Sequence, residues 1–218
     1  MSNTAPSRLQ KASLFIARIA LGYLFFSQLF WKMPPSFGCP PDFAFTTYTL
    51  EGGRLSFQRT SGLCDWIGVE SAYATQPRPF FVADMRPIGG PRLSIGLGWL
   101  ARINGLFIDN VVIPNIRWIG WLLWAAEAFI ATSLILGILS RLGGLVAIAV
   151  SAQLMIGLGG IPNPYEWEWS YNLRVVLSLV IFAFAPGGIV GLDALIKPRL
   201  EAASAKGNRL ARGLLYLV

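Results

Sequence analysis

Three charged residues fall inside runs that are otherwise apolar: Arg18, Glu127 and Arg174. A charge at the centre of a hydrocarbon layer costs at least about 2.5–3.5 kcal/mol. Such a group must be neutral, paired, or turned toward a wet interior. Glu127 lies nearest the middle of its run, so it is the residue best placed for proton chemistry. A protonatable carboxyl beside a quinone headgroup would exchange its proton as the quinone is reduced. Arg18 is the first candidate to pair with Glu127 or to hold the headgroup, and Arg174 is the second. Gln153 falls near the same depth and could join the network. The alternative is a buried Arg–Glu pair that fixes helix register and does nothing else. Arg18, nearer one end of its run, could also snorkel to the interface.

A second group of charges gathers near the opposite interface: Lys32, Arg117 and Arg174, with Glu166 and Glu168. The three cations could attract an anionic substrate. Interfacial anchoring, which Lys and Arg commonly provide, is the other reading of the same residues.

The chain has no histidine and two cysteines, Cys39 and Cys64. His-ligated haem, His-based zinc sites and Ser-His-Asp catalysis therefore cannot be built from this chain. Cys-ligated iron–sulfur clusters would need ligands from a partner. No metal site is expected, and any redox group held here must be held without those ligands.

The elements that would position these residues follow from composition. Of 218 residues, 54% are apolar and 13% charged. Soluble domains carry roughly a quarter charged. So few charges cannot cover a compact body in water, whereas a bilayer removes that need. The expectation is an all-α integral membrane protein, a single membrane domain over residues 1–218 built as a four-helix bundle. Spans are expected at about 12–31, 118–139, 142–160 and 170–185. Each is near the ~20 residues that cross about 30 Å of hydrocarbon. The first could imitate a signal peptide. However, no small-residue cleavage site follows it, so it reads as an uncleaved helix. Gly-rich stretches such as Gly143-Gly144 permit close helix packing, and Gly157-Leu158-Gly159-Gly160 lacks the strand a nucleotide fingerprint requires.

Residues 33–117 differ. Pro34-Pro35, Pro40-Pro41, Gly52-Gly53 and Gly89-Gly90-Pro91 forbid a long helix through most of this insertion. Leu93 to Val112 mixes apolar residues with Arg102, Asn104, Asp109 and Asn110. That pattern predicts an amphipathic helix lying on the membrane surface, or else a buried helix of a small extramembrane domain.

Charge near the helix ends sets the orientation. Arg8 and Lys11 precede the first span and Arg141 sits in a tight turn at Ser140-Arg141. Lys197, Arg199, Lys206, Arg209 and Arg212 lie in the polar tail. These ends are expected in the cytoplasm, with both termini, in a multi-pass protein of the cell's inner (plasma) membrane. The net charge of +7 has no tight basic stripe with interleaved aromatics, so nucleic acid is not expected. Anionic lipid headgroups are the simpler partner. All eight tryptophans fall in the outer loops or at outer span ends. The insertion would then sit in an oxidising compartment, where Cys39 and Cys64 would form a disulfide. With the opposite sidedness they would be two thiols.

Taken together, Arg18-x-x-x-Gly22 with Lys32, Asn110-Val-Val-Ile-Pro114-Asn115, Glu127, Leu136-Gly137-Ile-Leu-Ser-Arg141, Asn163-Pro164 and Gly191-Leu192-Asp193 resemble the DoxX/DoxD family of small four-helix membrane proteins. The resemblance covers most of the chain outside about residues 36–92. It implies a membrane subunit like that of thiosulfate:quinone oxidoreductase, which couples two thiosulfates into tetrathionate and passes electrons to quinone. It carries over Arg18, Lys32, Glu127 and Arg141 as candidate polar residues. The insertion is longer than in short family members and could dock another membrane subunit. A non-catalytic accessory subunit of a respiratory or photosynthetic complex is the alternative. A small-solute transporter ranks last, because no paired short broken helices are evident.

Overall fold

The computed structural model describes residues 7–45, 49–51, 54–56, 62–76, 79–96, 98–159 and 168–218. Helices dominate these residues. They are α1 (Arg8–Gln28), α2 (Leu63–Tyr73), α3 (Gly98–Phe107), α4 (Ile116–Leu136), α5 (Ser140–Leu158), α6 (Glu168–Phe184), α7 (Leu192–Ala205) and α8 (Arg209–Leu214). Two antiparallel hairpins add extended backbone inside the insertion. One pairs β1 (Thr49–Glu51) with β2 (Arg54–Ser56), and the other pairs β3 (Pro79–Asp84) with β4 (Arg92–Gly96). The Pro and Gly punctuation excludes a long helix there, and short strands take part of its place.

Three helical stretches are long and apolar enough to cross a membrane: Arg8–Lys32, Gly98–Leu136 and Ser140–Leu158. The expected fourth, α6, has 17 residues and rises about 26 Å, short of the ~30 Å hydrocarbon layer. The bounds of the expected helix over Leu93–Val112 are corrected. Leu93 to Gly96 belong to β4, and the helix begins at Gly98 and runs on toward α4. Gly98–Leu136 is 39 residues long, about twice one crossing. Pro114 explains the irregular middle of this stretch. It has no N–H for the i−4 bond, so the backbone passes through a wide turn at Ile108–Val112 and a tight one at Ile113–Asn115. Asn110 and Asn115 each donate to the carbonyl one turn back, Leu106 and Val111.

The chain divides into two compact units, both drawing on α4, α5 and α6. The first comprises Met1–Phe30, Ala125–Val150 and Leu173–Val218. Ser7 caps α1 in a reciprocal box: its hydroxyl accepts from Gln10 N–H, and the Gln10 side chain accepts from Ser7 N–H. The buried stripe of α1 is Arg18, Leu21, Gly22 and Phe25, the i, i+3, i+4, i+7 spacing of one helical face. Leu21 and Phe25 pack with Ile130, Ala131 and Leu134 of α4, Ala147 of α5 and Ile181 of α6. The end of α4 corrects the expected turn at Ser140-Arg141. The turn is Gly137 to Leu139, and Arg141 already lies in the first turn of α5. Gly137 has φ +65°, and Ile138 N–H returns to Ser133 C=O, the glycine-terminated C-cap in which a Cβ would be strained. The C-terminal tail is also more than a basic tail, since it folds as α7 and α8. Gly207 (φ +87°) closes α7 and the Asn208 side chain caps α8.

The second unit comprises Trp31–Trp124 and Ser151–Asn172. Cys39 and Cys64 form a disulfide, as expected, and tie the start of the insertion to α2 across 25 residues. Around it pack Phe37, Leu63, Ile67, Ile108, Val112 and Ile116. Gly120 lets Phe37 reach the α4 backbone; a Cβ there would stand 2.7 Å from the ring. The chain-entropy relation gives a loop of this length about 3–4 kcal/mol. Reduction, or Cys39→Ser with Cys64→Ser, is therefore expected to lower the unfolding free energy by about that much. Thermal unfolding in detergent with and without reductant measures it; equal midpoints would sink the expectation.

Candidate functional site

In the first unit, Glu127 is 2% exposed and sits near the centre of α4. It shares the buried face with Ile130, Ala131 and Leu134 at helical spacing, so its carboxyl continues the apolar core face by one turn. This is the environment in which an acid favours its neutral form or a close partner. The expected Arg18–Glu127 pair is corrected. Arg18 Nη1 donates instead to the carbonyls of Pro186 (3.3 Å) and Val190. The Phe15 ring lies against the guanidinium, 5.3 Å to its centroid. Arg18 is packed against Gly137, where an added Cβ would strike Nη1, and Gly191, where one would stand 2.7 Å from it. Gly137 lies ten residues from Glu127 along α4, about 15 Å of rise, so Arg18 is held at the wrong level.

The countercharge near Arg18 is Asp193, which the sequence offered only within the Gly191-Leu192-Asp193 motif and with no role. Asp193 is 0% exposed. Its Oδ1 accepts from Leu139 N–H (2.7 Å) and its Oδ2 from Ser140 N–H (2.9 Å). These are unsatisfied donors at the start of α5, where a carboxylate is favoured. Asp193 N–H donates to Gly137 C=O (2.8 Å). Gly187 N–H donates to Ser140 Oγ (3.1 Å). The result is a knot of charges and turns joining α1, the α4–α5 turn and the start of α7.

The expected Gln153–Glu127 connection is corrected as well. In the second unit Gln153 Nε2 donates to Glu70 Oε2 (2.8 Å), and Asn104 Nδ2 donates to the same oxygen (3.0 Å). Glu70 is 4% exposed. Its carboxylate rests on Gly157, where any Cβ would collide with it. Three helices, α2, α3 and α5, thus converge on one buried acid that the sequence left in a Pro- and Gly-rich insertion. A signal was present: Leu63-Cys-Asp-Trp-Ile-Gly-Val-Glu70 is apolar apart from its two acids. Two further donors in this unit, Trp124 Nε1 and Ser151 Oγ, are buried without a hydrogen-bond partner among the described residues.

The remaining candidates lie as follows. Lys32 is buried, with its ammonium 4.7 Å from the Trp31 ring centroid. Arg117 is exposed and stacks over Phe43 at 4.9 Å. Arg174 is half-buried, and its carbonyl accepts from Ser178 Oγ (2.6 Å). Arg141 reaches Tyr216 C=O at 3.5 Å. Asn163-Pro164 and Glu166, with the side chains of Glu168 and Trp169, lie outside the described residues. No family model matches the chain, and no curated protein or solved structure matches it.

Proposed function

We infer that this chain is a membrane subunit of a quinone-linked redox system, similar to the DoxX/DoxD proteins. The observation that carries the reading is the Glu127 carboxyl, buried on the core face of a helix apolar enough to cross a membrane. In this reading Glu127 exchanges protons with the quinone. Two thiosulfates give up two electrons in forming tetrathionate, and the quinone takes those electrons with two protons to become quinol. Arg18 serves Glu127 at most through the frame, not by contact.

The chain crosses the bilayer four times, α6 being the shortest span, with both termini in the cytoplasm. Charge and aromatic distribution support this. Arg8, Lys11, Arg141 and the five basic residues of the tail flank one set of helix ends, and all eight tryptophans fall in the outer loops or at outer span ends. Exposed Trp99, Ile103 and Leu106 on α3 support its lying against the outer membrane surface.

A second reading, a non-catalytic docking subunit, is favoured by the disulfide-tied core of the second unit. Purification from native membranes in mild detergent separates the two. Bound quinone and thiosulfate-dependent quinone reduction in the purified material support the first reading. Stoichiometric recovery within a large pigment or cytochrome assembly, without that activity, supports the second.

A further inference from the structure

We propose that the α7–α8 segment is a fixed basic clamp for anionic phospholipid headgroups, at the end of the first unit where the α4–α5 turn lies. This goes beyond the redox reading and does not depend on it.

The segment is not a loose tail. Its start is fixed by Asp193, which accepts from Leu139 and Ser140 N–H. Its end is fixed by Leu142 N–H donating to Leu217 C=O (3.3 Å) and by Arg141 reaching Tyr216 C=O. Both anchors are the same turn between two apolar helices, so the helices between them are held beside that turn. Along α7 and α8, Lys197, Arg199, Lys206, Arg209 and Arg212 are all exposed. The acids of this segment are Asp193, buried in the knot, and Glu201, exposed. Five outward cations against one outward acid leave a surface charge of +4. Arg8 and Lys11, also exposed, lie on α1 ten and seven residues before Arg18, about 15 and 10 Å beyond the turn level. They extend the positive surface.

Apolar side chains accompany the cations: Leu195, Leu210 and Tyr216 are about 70% exposed (67%, 77% and 70%). Cations beside exposed apolar residues, fixed to the ends of apolar spans, match a surface of anionic headgroups over acyl chains. A soluble anion would use the cations and leave Leu195 and Leu210 without a role.

The test uses the full chain in detergent with added phosphatidylcholine or phosphatidylglycerol. Bound lipid is read by native mass spectrometry and stability by thermal unfolding. Phosphatidylglycerol is expected to be retained preferentially and to raise the unfolding midpoint, the more so at low salt. In the variant K197Q/R199Q/K206Q/R209Q/R212Q its preferential retention should fall at least about tenfold. A Lys↔Arg exchange at the same five positions keeps the charge and should keep the retention, which separates lost charge from a lost fold. Equal retention of the two lipids by the native chain would overturn the proposal. So would undiminished preference in the Gln variant, or displacement of the lipid by inorganic phosphate at equal phosphate concentration.

Discussion

Asp193→Ala should destabilise the first unit by about 2–4 kcal/mol, because it strips two backbone donors of their acceptor and removes the negative charge near Arg18. Three groups are affected at once. Leu139 and Ser140 N–H, now 2.7 and 2.9 Å from the carboxylate, would be left as donors at the start of α5, each costing about 1–3 kcal/mol when buried and unsatisfied. Arg18, 1% exposed, would retain only neutral carbonyls and the Phe15 ring. These losses share one knot and will not sum. Unfolding in detergent measures the total. Asp193→Asn, which keeps one acceptor oxygen but no charge, should fall between. A cycle with Arg18→Met then isolates the ionic part: if Asp193 compensates Arg18, the double variant is less destabilised than the two singles predict. A loss below about 1 kcal/mol in Asp193→Ala, within the range of ordinary surface substitutions, would show that the knot is held by the turns alone.

If the proposed redox function holds, Glu127→Gln should lower quinone turnover by about a hundredfold or more, the scale of losing a positioned proton-transfer group. Gln is close in shape and is neutral, so the core face with Ile130 and Ala131 should still pack. The apparent affinity for quinone should change little, because the loss lies in proton exchange and not in binding. Steady-state reduction of a quinone by the purified native complex gives both quantities. Full turnover in an intact complex carrying Glu127→Gln would remove the proton-transfer role and favour the docking reading. The two substitutions are complementary. Asp193→Ala is expected to act on stability near Arg18, and Glu127→Gln, in the proposed function, on chemistry.

The apolar runs behind three of the helices and the Cys39–Cys64 bridge were legible because they are local or compositional. A run of about 20 apolar residues with few charges leaves few places for a helix to go, and two cysteines allow one pair. Boundaries moved by a few residues where caps decide them. Gly137 ends α4 before Ser140, and Gly207-Asn208, an unused turn signal, divides the tail into α7 and α8. The insertion was harder to read. Proline and glycine told where a helix must stop, but β3 and β4 hold each other through pairing, which no single segment displays. Leu93 to Gly96 thus carried an amphipathic pattern and became strand.

That this chain is apolar enough to enter a bilayer, cannot hold haem or zinc through histidine and buries Glu127 was legible in its residues alone. Each of these follows from residue type and from position within a run. Which polar groups meet is set by packing between segments far apart in the chain. Arg18 looked like a partner for Glu127 because both lie in apolar helices, yet depth separates them, and the start of α7, distant in sequence, supplies Asp193. Gln153 looked like a neighbour of Glu127 and instead joins Asn104 on Glu70. A hydrogen bond needs its partners within about 3 Å. Helical periodicity fixes which face a residue takes, and packing alone fixes what that face meets.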